Sequence, residues 1–383
     1  MISNKKNSLT YSFLIISFFL TSIFLFRGIF TPLGEESFGR IWHYFIDWSD
    51  FGFSRRALFG TILEVTKITT LIKDPYFLAY FIYLILLIAV FILLAVVITR
   101  SKIADQGTLF LFGMIFSPGL LMQFGYTTGN LDILLFLFLI IIFFFLSNTY
   151  IILILITTSL LIHEMFISFI PFFIFFKYLS LQQISGKSLI IFFKPVIVLI
   201  LSILICLAII LFGTLEISQI EFESLIQDQL GRASYKHPLW SGFYEVSSSA
   251  NLNISMAHEL NTRYLNELSA WGLFIAFIPF FYLICLMIIF YKRVNMTFYK
   301  KILAILMMLL PLILFLFAND LYRWVGLSIK LCFVAFIFLA SENKISFKKI
   351  DGFVLSIFVF TGPYGIFFLR PIPAFQFIFD YIL

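Results

Sequence analysis

The apolar residues of this chain arrive in uninterrupted blocks, most of them about 17 to 25 residues long, which as helix is the length that spans the hydrocarbon core of a bilayer. Blocks fall at 9–26, 76–99, 107–123, 131–147, 189–213, 270–290, 302–318, 325–340 and 352–369, with a longer one at 150–178. A soluble domain runs nearer half apolar and a quarter charged, whereas here 62% of residues are hydrophobic and 12% charged. The expected fold is therefore an all-α, polytopic integral membrane protein forming a single transmembrane domain over residues 1–383. Cys206, Cys285 and Cys332 all lie inside apolar blocks, which predicts packing residues rather than a disulfide framework or a metal cluster. The abundance of Phe, Ile and Lys suggests an AT-rich bacterial genome, and so the bacterial inner membrane.

The 150–178 block as one helix would be about 43 Å long, well beyond the roughly 30 Å core, and would carry His163 and Glu164 at its midpoint. As two arms of about 21 Å each it forms a broken-helix hairpin with the ionisable pair at its tip. Loop charge favours the hairpin, because short cytoplasmic loops collect Lys and Arg. With it there are about 11 crossings, the N-terminus lies inside, and the inner loops gather Lys5, Lys6, Arg100, Lys102, Lys187, Lys292, Arg293, Lys300, Lys301, Lys344, Lys348 and Lys349. A single helix would turn the 291–301 and 341–349 loops outward against that rule. The first block follows a short basic start, but its apolar run is too long for a signal peptide and no small-residue cleavage site follows, so a retained anchor is expected. No internal repeat is visible, which counts against transporters built from duplicated halves.

With sidedness assigned this way, every acidic residue except Asp105, Glu342 and Asp351 lies outside or near the outer face. Most sit in two outer segments, 27–75 and 214–269. The first contains IWHYFIDWSDFGFSRRALFG, residues 41–60, where Trp42, Tyr44, Phe45 and Trp48 surround Asp47 and Asp50 follows about one helical turn later. Arg55 and Arg56 come next; two planar guanidinium groups at a membrane surface suit a diphosphate or lipid headgroup. The competing structural reading makes the aromatics an interfacial belt, Asp50 the cap of a turn at Gly52, and the arginines snorkelling side chains.

His163-Glu164 is the second constellation, since a carboxylate near bilayer depth is expected to have a partner such as Arg323, or to orient the histidine, or to help bind a metal. No HExxH motif is present, so a zinc protease is not supported. Equally, a buried ion pair could simply hold the hairpin tip. The third is Asp320-x-x-Arg323-Trp324 in a short outer loop that fixes these side chains at two helix ends. Asp132 starts a helix, where an acid suits the dipole whatever its function. The second outer segment carries an amphipathic stretch over 217–230, expected to lie along the interface. His237 and His258 read as surface histidines, and Trp240, Phe243 and Tyr244 suit either a sugar face or an interfacial anchor.

Taken together, an odd number of spans, an acidic aromatic first outer loop followed by arginines, and a large later outer loop resemble the GT-C superfamily of membrane glycosyltransferases. The resemblance implies transfer of a sugar from a polyprenyl-phosphate or -diphosphate carrier to a glycan or lipid acceptor on the outer face. An aspartate of the first outer loop would act as base or acceptor-orienting group, which falls on Asp47 ahead of Asp50, with Arg55 and Arg56 on the carrier phosphate. Asp47 to Gly60, His163-Glu164 and Asp320-x-x-Arg323-Trp324 also look like polytopic proteins of bacterial surface-polysaccharide clusters, where polymerases are expected. In that reading His163 and Glu164 join the catalytic group, and Asp320, Arg323, Trp48 and Trp324 help bind substrate. No cofactor is demanded, although a divalent metal is possible, with His163-Glu164 helping to bind it, and no nucleic-acid partner is expected. No long soluble C-terminal domain of the kind many GT-C enzymes carry is expected here, which would leave acceptor recognition to 214–269.

Two other classes compete. A flippase for lipid-linked sugars would want charges through the full bilayer depth, and only Glu164, Lys194 and Lys330 qualify. A membrane-bound O-acyltransferase could use His163 as general base, but would meet its acyl donor at inner loops that are short and nearly free of acids.

Overall fold

The computed structural model describes residues 2–26, 41–100, 105–126, 130–179, 189–230, 244, 247, 270–316, 321–358 and 361. In chain order its helices are α1 (Ile2–Leu25), α2 (Trp48–Phe51), α3 (Leu58–Val65), α4 (Ile68–Leu71), α5 (Pro75–Arg100), α6 (Asp105–Ile115), α7 (Leu121–Tyr126), α8 (Asp132–Ile140), α9 (Thr149–Ile162), α10 (Ile170–Ile174), α11 (Leu189–Phe212), α12 (Gln219–Leu230), α13 (Ala270–Arg293), α14 (Phe298–Leu309), α15 (Leu321–Ser341) and α16 (Lys349–Ser356). Among the described residues the structure is all-helical, with one isolated antiparallel bridge between Val294 and Ile345 in place of any strand.

Three stretches are long and apolar enough to cross a membrane by length and composition: Pro75–Arg100, Phe193–Phe212 and Arg323–Ser341. The first shows how a helix that is apolar all round divides its surface. Tyr76, Tyr80, Tyr83, Leu87, Val90 and Leu94 form a buried stripe at three- and four-residue spacing, while Phe77, Phe81, Ile85, Ile88 and Ile92 form an exposed one. Helix α13 repeats the pattern, with Phe277, Phe281, Ile284, Ile288 and Tyr291 exposed. Continuous apolar stripes of this kind face lipid in a membrane protein and would be a liability in water. Two blocks expected as single spans are interrupted. Residues 107–123 break between α6 and α7, because Pro118 supplies no N–H and disfavours helical Ser117 before it; residues 302–318 give way after Leu309 to a 3-10 stretch, Leu310–Leu316, at Pro311.

The molecule comprises two compact units. One contains Met1–Thr31, Leu94–Tyr126 and Ile254–Leu383. Its central element is α15, buried on nearly every side and packed against α13, α6 and the Leu310–Leu316 stretch. There α1 lies against α7 with Gly125 so close to Phe24 that a Cβ would come within 2.1 Å of its carbonyl oxygen. Ser17 Oγ and Thr21 Oγ1 of α1 both donate to the Phe116 carbonyl, one of the groups freed where α6 ends.

The other unit contains Pro32–Leu93 and Thr127–Asn253. Its 150–178 block is broken at the ionisable pair: α9 stops at Ile162, His163 is extended (φ −162°), and the chain continues as a 3-10 turn, Glu164–Phe169, into α10 and a π-helical turn, Phe175–Leu179. The chain then returns to the end it left. Lys177 Nζ donates to the carbonyls of Ile142, Phe143 and Leu146, the last only three residues before α9 begins. These are terminal carbonyls of α8 and its π-helical extension, Ile141–Phe145, so the ammonium satisfies orphan acceptors at the negative end of a helix. The expected hairpin is thus present as a path, with arms too short to be one continuous span.

Helix α3 presses on the residues before the motif loop. A Cβ at Gly60 would lie 2.0 Å from the Ile46 carbonyl oxygen. Gly60→Ala is therefore expected to cost about 1–3 kcal/mol by overpacking, read as a lowered thermal unfolding midpoint in detergent; an unchanged midpoint would show that this approach is not close in solution.

Candidate functional site

The motif segment 47–56 is a compact loop built around a one-turn helix. Asp47, with extended backbone (φ −130°), caps α2: its Oδ1 accepts from Ser49 N at 2.8 Å and Asp50 N at 2.9 Å. The competing structural reading of the sequence gave the turn-capping role to Asp50; the structure gives it to Asp47, and Gly52 ends the turn in the left-handed region at φ +67°. Trp48 locks the loop shut, its Nε1 donating to Ser54 O at 3.1 Å and its backbone N to Thr61 Oγ1 at 2.9 Å. Asp47 is buried and Asp50 exposed.

Three distant segments converge on this loop. From α12, Gln229 Nε2 donates to Asp47 Oδ2 at 3.3 Å and to Asp50 Oδ2 at 3.0 Å, so one amide bridges the two carboxylates. Gln229 Oε1 is shielded and has no hydrogen-bond partner among the described residues. The chain just after α11 supplies the Gly213 carbonyl, which accepts from Arg55 N at 3.1 Å. From the hairpin tip, Glu164 takes the Arg56 guanidinium as a fork: Arg56 Nε lies 3.1 Å and 3.0 Å from its two oxygens, and Nη2 donates to Oε1.

The two arginines are not equivalent. Arg55 is buried, and desolvation pulls its guanidinium below the ordinary value while the Glu164 charge opposes that shift. Arg56 is half-buried and sits at φ +68°, a left-handed backbone that costs a non-glycine residue roughly 1–2 kcal/mol. The bidentate pair with Glu164 holds it there. His163 Nδ1 lies 3.3 Å from both Met165 N and Glu164 Oε2: a neutral ring accepts from the amide, and a protonated ring donates to the carboxylate. The partner that sequence reasoning offered Glu164 was Arg323; the structure supplies Arg56.

Arg323 and Trp324 belong to the other unit, where the Arg323 guanidinium stands 5.6 Å from the Trp324 ring centroid. Asp320, His237, His258, Trp240 and Phe243 lie outside the described residues. Tyr244 donates to the Ile217 carbonyl at 3.0 Å and rests against Phe222, which fixes it to α12. Among the described residues no group of three His, Cys, Asp or Glu side chains converges as a metal site.

Gln229 is the site residue that sequence reading missed. Helix α12 was legible as amphipathic, and Phe222, Ile226 and Leu230 are its buried face, but nothing marks the glutamine beside Leu230 as different from the other polar residues of that helix. No protein-family model, curated protein or solved structure matches this chain.

Proposed function

We propose that this protein is a multi-pass enzyme of the bacterial inner membrane that transfers a sugar or oligosaccharide from a polyprenyl-(di)phosphate carrier to a glycan or lipid acceptor at the outer face. The observation that carries the reading is the convergence on residues 47–56: an exposed acid and two arginines share one loop, to which α12 brings the Gln229 amide and the hairpin tip brings the Glu164 carboxylate that pairs with Arg56. Glycosyl transfer from a lipid phosphate needs a base near the acceptor hydroxyl and cations near the departing phosphate, and it needs both at a bilayer surface. The exposed apolar stripes of α5, α11 and α13 suit a polyprenyl tail as well as bulk lipid.

Within that reading the geometry favours Asp50 over Asp47 as the base, the opposite of the expected order. Asp47 spends Oδ1 on the α2 amides and is buried, so its role is to shape the loop and, through Gln229, to orient Asp50. Asp50 is the carboxylate a substrate hydroxyl reaches. Arg56 meets the carrier phosphate by exchanging or sharing its Glu164 partner, and His163 beside that carboxylate stabilises the exchange when protonated. A flippase gains no support from Lys330, which is fully buried and donates to Gln123 within its own unit.

The test is transfer by the purified chain in proteoliposomes, with synthetic polyprenyl-phosphate and -diphosphate sugars supplied on either side. Transfer is expected only when donor and acceptor share the face to which Glu216 is exposed. Thiol labelling of Glu216→Cys outside and Lys344→Cys inside checks sidedness in the same vesicles; both labels on one face, or no transfer with any carrier-linked sugar, would overturn the reading.

A further inference from the structure

Far from the motif loop in sequence, two short basic loops are fastened to one another. Asn295 N donates to Lys344 O at 2.7 Å, Ser346 N to Arg293 O at 3.4 Å, and Val294 and Ile345 form the antiparallel bridge. The seam is riveted by Arg293 and Asp351: Nε to Oδ2 is 2.8 Å and Nη2 to Oδ1 is 2.9 Å, while the same Oδ2 accepts from Lys348 N at 2.7 Å as α16 begins. The buried Asp351 is thereby consumed in neutralising Arg293 and capping a helix. Lys292, Lys344, Lys348 and Lys349 are exposed, Lys300 and Lys301 half-buried, and among the described residues of these loops the remaining acid is Glu342.

The position of this basic face along the helices identifies its partner. The exposed apolar stripe of α13 ends at Tyr291, one residue before Lys292. Helix α14 begins with exposed Phe298 and Tyr299 beside Lys300 and Lys301, and then presents exposed Ile302, Leu303 and Leu306. Lys301 Nζ donates to Tyr291 O at 2.9 Å and stands 5.1 Å from the Tyr291 ring centroid, tying the two aromatic borders together. Apolar stripes that give way through a tyrosine and phenylalanine rim to lysines mark the passage from hydrocarbon to headgroups.

We propose that the joined 291–301 and 341–349 loops form a binding face for anionic phospholipid headgroups, the lysines taking the lipid phosphates while the Tyr291, Phe298 and Tyr299 rim sits among the upper acyl carbons. The proposal rests on the chain spanning a bilayer and is independent of glycosyl transfer. A pairing fixed by backbone bonds presents its charge without first ordering two loops, which favours binding. Each surface lysine facing an anionic leaflet contributes enough attraction for three to matter by about tenfold or more.

The full chain is first shown to insert by carbonate-resistant flotation with phosphatidylcholine vesicles. In detergent with equimolar phosphatidylglycerol and phosphatidylcholine, native mass spectrometry is then expected to show phosphatidylglycerol retained about tenfold over phosphatidylcholine. Lys344→Gln, Lys348→Gln and Lys349→Gln combined should bring retention to parity, arginine at the same three positions should restore it, and Lys67→Gln with Lys73→Gln should leave it unchanged. Parity in the unmodified protein, or enrichment surviving the triple glutamine variant, overturns the headgroup site while insertion stands; failure to insert overturns the bilayer reading and the site with it.

Discussion

Asp50→Asn is expected to reduce sugar transfer by about 100-fold or more, the usual contribution of a positioned general base, with folding unchanged. The side chain is exposed, and the amide keeps its shape while losing the capacity to accept an acceptor hydroxyl's proton. Asp47→Asn should behave differently. Its remaining carbonyl oxygen still caps α2, but the substitution places an amide near Gln229 Nε2, so part of the loss should appear as about 1 kcal/mol of stability. Measuring kcat, KM and unfolding midpoint for both variants separates the two roles. A normal kcat for Asp50→Asn, with Asp47→Asn inactive yet fully stable, would restore Asp47 as the base.

Glu164→Ala should destabilise the protein by about 3 kcal/mol or more, because it strips the carboxylate from a largely buried guanidinium whose side chain is 17% exposed. The backbone strain at Arg56 then loses the bond that offsets it. Replacing both partners, as Arg56→Met with Glu164→Leu, should recover the part of that loss due to Arg56, since no unpaired guanidinium is left at that position, while the part due to the buried Arg55 losing the Glu164 charge should remain. Activity would not return with stability. A double variant that unfolds as readily as Glu164→Ala alone would mean the pair is no source of the destabilisation, and recovery of both stability and turnover would remove Arg56 and Glu164 from the site.

How far the sequence led depended on whether a feature is local. Uninterrupted apolar runs marked the long helices, and the excess length of the 150–178 block, with the loop charges around it, marked the break near His163 and Glu164, groups that are costly at bilayer depth whatever the backbone does. Pro118 and Pro311 sit in plain view, yet their blocks read as spans because mean apolarity outweighs one imino acid in such a reading. The acids and arginines of residues 41–60 were identifiable from composition alone. Their division of labour was not: whether Asp47 or Asp50 caps depends on where the turn starts, and that is fixed by Trp48 binding Ser54 and Thr61. The pairing of Arg56 with Glu164, more than a hundred residues apart, and the arrival of Gln229 are tertiary facts with no short-range trace.

The return of the chain at Lys177 has a consequence for parity. A segment that leaves and re-enters at the same end adds an even number of passages through any plane it meets, whether its arms pierce the membrane or only dip into it. In the multi-pass arrangement proposed above, the side on which each later loop emerges is therefore indifferent to the depth of the hairpin. Lengthening or shortening both arms by a turn should leave the orientation of everything after residue 179 untouched, whereas fusing them into one straight helix would invert the remaining half of the molecule.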